Sequence, residues 1–154
     1  MGRREDLLRQ EAKAWGRIDS VVETLSADEL VRTGYTVEGW SVKDMMAHIA
    51  AWSNVAASVL RDISAGSWSG HHASDEPGGT DQLNAEWFER GRELDVDTVR
   101  SEWHASRTRM LEAFSALDEI TPDADEWFEE SGPSHYAAHL PDLERWLRGM
   151  RADR

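Results

Sequence analysis

Along four long stretches of this chain, apolar residues recur at intervals of three and four, and no segment sustains the alternation of a strand. Such spacing puts every apolar side chain on one face of a helix, so the chain must fold as packed amphipathic helices. In the first stretch Leu8, Ala12, Trp15, Ile18, Val22 and Leu25 predict a helix over 5–25, with Gly16 at a point of close packing. Ser26-Ala27-Asp28-Glu29 reads as a capping box that opens a short helical turn. Gly34 and Gly39 bracket an extended connection over 33–40. Ser41 then caps a second long helix, in which Val42, Met45, Ile49, Trp52, Ala56, Val59 and Ile63 keep the spacing through residue 64.

Residues 65–80 are rich in Gly, Ser and Pro and read as an exposed loop, long enough to suggest function or mobility. A short helix over 81–94 follows. Asp95 opens a third long helix with Val96, Val99, Trp103, Met110, Leu111, Phe114 and Leu117 inward, closed by Thr121-Pro122-Asp123. Residues 123–132 read as an acidic connection carrying Trp127 and Phe128. The last long helix runs over 132–149, with Pro133 at its favoured first turn and a kink expected at Pro141. One apolar stripe per long helix makes an all-α four-helix bundle, with a short extra helix before the third, the natural packing solution. At 154 residues a single domain over 1–154 is expected.

Charge and composition narrow the partners. Thirty Asp and Glu against 17 Lys and Arg leave a net charge of −13, which disfavours nucleic acid. No apolar run reaches the roughly 18 residues of a membrane span, and Glu5 and Asp6 interrupt the region where a signal peptide is uncharged. A cytoplasmic protein with neither a membrane nor a nucleic-acid partner is expected. There is no cysteine, so disulfides and a cysteine nucleophile are excluded, and any thiol chemistry must borrow its sulfur.

Six histidines are present. His135 and His139 are four apart on the last helix and project from one face. His48, beside Ile49 and spaced three and four from Met45 and Trp52, points towards the core. Three imidazoles from two helices could converge on Zn, Ni or Fe and leave a coordination position free, the pattern of a catalytic centre. Spacing alone leaves open the plainer alternative, hydrogen-bonded core histidines. His71 and His72 in the loop are expected to be solvated and His104 to be a surface or satisfied residue. Asp44 is a cap before it is a support for His48, and Asp142 is similarly ambiguous beside His139. Of eight tryptophans, Trp40, Trp52 and Trp146 lie near the histidines in register and would wall a pocket. Trp15 and Trp103 suit the core, while Trp68, Trp87 and Trp127 sit where lids over pockets occur.

The run Gly39-Trp40-Ser41-Val42-Lys43-Asp44-Met45-Met46-Ala47-His48-Ile49-Ala50-Ala51-Trp52 resembles the second-helix signature of the DinB/YfiT-like superfamily. Ser134 to Leu147, with its HxxxH, resembles that superfamily's last helix. Asp81-Gln82-Leu83-Asn84 resembles the segment before the third helix in its ClbS/DfsB group. The nearest branches are that group and the N-terminal domain of mycothiol-dependent maleylpyruvate isomerases. The resemblance implies a divalent ion held by His48, His135 and His139, and chemistry on a small electrophile with a bacterial low-molecular-weight thiol as co-substrate. Thiol-dependent transferase, isomerase or hydrolase activity would follow. A ClbS/DfsB-like binding or self-resistance protein without metal catalysis is the alternative, and a purely structural bundle is a third. Trp40, Trp52, Asn84, Arg90, Tyr136 and Trp146 are the candidate substrate contacts, the catalytic base is undetermined, and a homodimer is expected.

Overall fold

Local chemistry sets the start and end of the longest helix. The Ser41 hydroxyl accepts from the Asp44 amide (3.1 Å), and the Asp44 carboxylate accepts from the Ser41 amide (2.8 Å), completing a capping box. At the far end Gly66 adopts φ 74°, a left-handed conformation that L side chains rarely take. The computed structural model, which describes residues 2–153, is all-helical. Its elements are α1 (Arg3–Val22), α2 (Ala27–Leu30), α3 (Val42–Ala65), a 3-10 turn (Ala73–Asp75), α4 (Gly79–Gly91), α5 (Val96–Ser115), α6 (Pro122–Ser131) and α7 (Pro133–Ala152).

The long helices α1, α3, α5 and α7 form the bundle. α3 lies at its centre, packed most extensively against α5, while α1 packs against α7. One end of the core holds Trp15, Ile18, Met45, Met46, Ile49, Trp103, Tyr136 and Leu147. The other holds Leu7, Leu60, Met110, Phe114 and Phe128. Among the described residues no helix is long and apolar enough to cross a membrane.

Three expectations need correction. Residues 123–132 are mostly helical: Thr121 accepts from the Ala124 amide and Pro122 occupies the first turn of α6. α6 buries Ala124 and Phe128, and the Phe128 ring stacks on Phe114 with centroids 3.9 Å apart. Burying a ring of that size contributes about 2 kcal/mol. Within α1 the inward register before Trp15 is Leu7 and Glu11, not Leu8 and Ala12, because a buried carboxylate takes one apolar position. Gly16 is exposed, and a Cβ there would meet nothing within 4 Å, so no close packing requires it. The last helix continues past Pro141 to Ala152.

Candidate metal centre and its cavity

His48 lies on the second turn of α3, and His135 and His139 lie on α7. His48 Nε2 is 3.0 Å from His135 Nε2, and His139 Nε2 is 3.2 Å from the same atom. One donor nitrogen from each ring falls within 4.8 Å of the other two. Around a tetrahedral ion with bonds of about 2.05 Å, donor atoms stand about 3.3 Å apart. Two of these separations are close to that value, and the donor set fits a borderline cation such as zinc, nickel or iron.

Burial is the first cause that pushes the His48 imidazole down to about 4, with the neighbouring His139 charge adding to it. Burial, then the charges of His48 and His139, pushes His135 to about 3. Burial lowers His139 as well, against the opposing effect of Asp142. All three rings are thus neutral bases near pH 7, the form that ligates metal.

Tyr35 supports the set from the 33–40 connection. Its hydroxyl lies 3.1 Å from His139 Nδ1 and donates to the His139 carbonyl oxygen at 3.3 Å. With the hydroxyl proton on that carbonyl, Nδ1–H would donate to the phenol oxygen, leaving the Nε2 lone pair to face the other two histidines. His48 Nδ1, by contrast, is buried without a hydrogen-bond partner. The Trp40 ring stands edge-on to His48 at 5.4 Å and stacks on Phe88 at 5.2 Å.

His48 and His135 open onto a cavity of about 470 Å³. Trp52, Trp68 and Trp127 are its aromatic walls, and Asn84 lines it while accepting from the Trp52 indole N–H at 2.8 Å. Asp123, Glu126, Trp127 and Glu130 follow one another at helical spacing down the same face of α6. The 3-10 turn contributes Ser74 and Asp75, so the 65–80 segment is a structured wall. His72 belongs to that structure: its ring accepts from the Ser74 amide and stands 5.3 Å from Trp127. His71 is exposed and bonds Glu76 at 2.9 Å.

A family model for the mycothiol maleylpyruvate isomerase N-terminal domain matches residues 12–139. The chain belongs to this family. It is thereby a member of the DinB-like superfamily, and the match runs from α1 to the second histidine of α7. No curated protein and no solved structure matches the chain.

Not every residue nominated from the sequence of this family member reaches the cavity. Tyr136 is fully buried in the core, edge-on to Trp15 at 5.4 Å, with its hydroxyl donating to Glu11 at 3.3 Å. One residue along a helix is a rotation of about 100°, which turns Tyr136 away from the face that carries His135. Trp146 packs against the core, and Arg90 borders a separate small recess beside Ala47 and Gly91. Asp44 serves as the α3 cap, and Asp142 is exposed and paired with Arg145 at 2.9 Å. His104 is exposed, 3.4 Å from Glu23. Sequence reasoning missed Tyr35 and the α6 face. The Thr121-Pro122 pair, a helix-opening signal, could have disclosed the latter.

Proposed function

We propose that this protein is a divalent-metal-dependent enzyme acting on a small molecule, with His48, His135 and His139 as the metal ligands. The observation that carries the reading is the convergence of three imidazole nitrogens, at 3.0 and 3.2 Å for the two closest pairs, beside an aromatic cavity. Three protein donors leave a position for an exogenous ligand. When bound, such an ion lowers the pKa of a thiol and makes its thiolate available near neutral pH. The cysteine-free sequence requires that thiol to come from a co-substrate, and the family's name supports a mycothiol-type compound.

The chain's own residues have definite tasks in this reading. Tyr35 orients the His139 ring through its Nδ1. Asn84 fixes the Trp52 indole, and Asp123 fixes the Trp68 indole through a 2.8 Å bond. The three tryptophans bury the apolar part of a substrate and displace water from it. Maleylpyruvate, the dicarboxylate of the family's name, is a poor match to the cavity, whose lining includes four carboxylates and no Lys or Arg. The reaction proposed is therefore thiol transfer, isomerisation or hydrolysis on a different small molecule.

Protein purified without a polyhistidine tag should contain about one zinc, nickel or iron per chain, and His48→Ala should lose it. Absence of stoichiometric metal from tag-free protein, with reconstitution failing as well, rejects the reading. The tryptophan-lined cavity also favours a second reading, a metal-independent small-molecule binder. Ligand-dependent tryptophan fluorescence that survives chelation distinguishes it.

A further inference from the structure

α6 divides its acidic side chains between two environments. Along one edge the half-buried Asp125 and Glu129 are both bonded to Arg3. On the cavity side stand Asp123, Glu126 and Glu130, and Asp75 from the 3-10 turn faces the same space. Asp123 accepts from the Trp68 indole, and Asp75 accepts from the His72 amide. Glu126 and Glu130 make no hydrogen bond or ion pair among the described residues. They are one helical turn apart on the same face, where like charges repel. Burial, then the charges of Glu126 and Glu129, raises the Glu130 carboxyl above its ordinary range. Glu126 and Glu130 are thus exposed, unpaired carboxylates on the rim of a cavity that no Lys or Arg lines, whereas Asp125 and Glu129, on the neighbouring face of the same helix, are paired with Arg3.

We propose that this cavity takes an organic cation, a substrate or ligand with an ammonium group, whose charge is met by Glu126 and Glu130 and whose hydrocarbon is covered by Trp52, Trp68 and Trp127. An inorganic ion would satisfy the carboxylates but leave three indoles without a role. A neutral apolar ligand would use the indoles but leave the exposed acidic rim, Asp75, Asp123, Glu126 and Glu130, without a part in recognition. An ammonium with attached hydrocarbon satisfies both, because indoles attract cations as well as apolar surface. The inference rests on the cavity being the substrate site and not on the metal.

Choline and its uncharged isostere 3,3-dimethylbutan-1-ol separate charge from shape. The experiment titrates tryptophan fluorescence of the full chain with each, and with succinate, in metal-free and zinc-loaded protein. Choline is expected to perturb the emission and to bind about tenfold or more tighter than the isostere, the difference weakening with salt. Glu126→Gln with Glu130→Gln should weaken choline about tenfold while leaving helical content and zinc stoichiometry unchanged. Equal binding of the two isosteres, preference for succinate, or no response to choline overturns the proposal. So does calcium, if it saturates the site with a signal that the double glutamine variant abolishes. His48→Ala separates the two readings, since it should lose zinc and keep choline. Failure of zinc with retention of choline condemns only the metal, whereas zinc binding with no preference for choline condemns only the cation.

Discussion

Glu11 on α1 is fully buried and accepts two hydrogen bonds from the Arg107 guanidinium on α5, at 2.7 and 2.8 Å. The same guanidinium lies 4.8 Å from the centre of the Trp15 ring, and the Tyr136 hydroxyl of α7 donates to the same carboxylate. Three bundle helices are thus tied at one polar point inside the core. Arg107→Leu should destabilise the protein by about 3 kcal/mol, because it leaves a buried carboxylate without its counter-charge. Glu11→Leu combined with Arg107→Leu should cost less than that single change. Urea unfolding of the three variants checks the order, and a double variant less stable than Arg107→Leu refutes the account.

Tyr35→Phe removes one hydroxyl and little volume from a residue 6 % exposed. It takes away the hydroxyl that contacts His139 Nδ1 and its carbonyl oxygen. Metal affinity should fall roughly 10- to 100-fold, as for other supports of ligating histidines. Competition with a calibrated chelator measures it. Unchanged affinity would show that the ring needs no such support.

Acid should weaken the metal-free protein from mild pH downwards. In the unfolded chain histidine takes up its proton near pH 6.5. In the fold His48 and His135 resist protonation until about 4 and about 3, and His139 is lowered too. The unfolded state therefore binds more protons across that interval, so stability is full above about pH 6.5 and declines as pH falls through it. Melting temperatures between pH 7.5 and 5 should fall, and fall less steeply for His48→Gln. Parallel slopes for the two proteins would contradict this.

Gly79 opens α4 so close to the 3-10 turn that a Cβ would lie almost on the Ala73 carbonyl oxygen. That atom is backbone and cannot rotate aside, so Gly79→Ala should displace the turn carrying Ser74 and Asp75. We expect a loss of about 1–3 kcal/mol, typical of overpacking, with a change in the cavity's tryptophan emission. Gly16→Ala is the control, because its Cβ would meet nothing and alanine favours the helix. Comparable destabilisation by both would dismiss the steric argument.

The histidine set was legible because helical periodicity is local. An HxxxH spacing and an inward His48 follow from 3.6 residues per turn, whatever the rest of the chain does. The same periodicity could not separate Tyr136 from His135, since neighbours in sequence face different ways and only the packing of α1 decides which meets the core. α6 escaped notice because its apolar content is slight, with Ala124 and Phe128 its buried hydrophobic anchors amid five acidic residues. Glu11 was invisible as a core residue for a related reason, because its partner Arg107 lies 96 positions away.

By itself the amino-acid order determined the four long helical stretches, the Ser26 and Ser41 capping boxes, and that three imidazoles could share a neighbourhood, because each of these depends on residues within a few turns. Tertiary structure decided which carboxylates are paired and which face the cavity, that Tyr35 reaches His139, and that Tyr136 and Trp146 serve the core. Those are contacts between groups far apart along the chain. Their burial and charge environment exist only once the helices have packed.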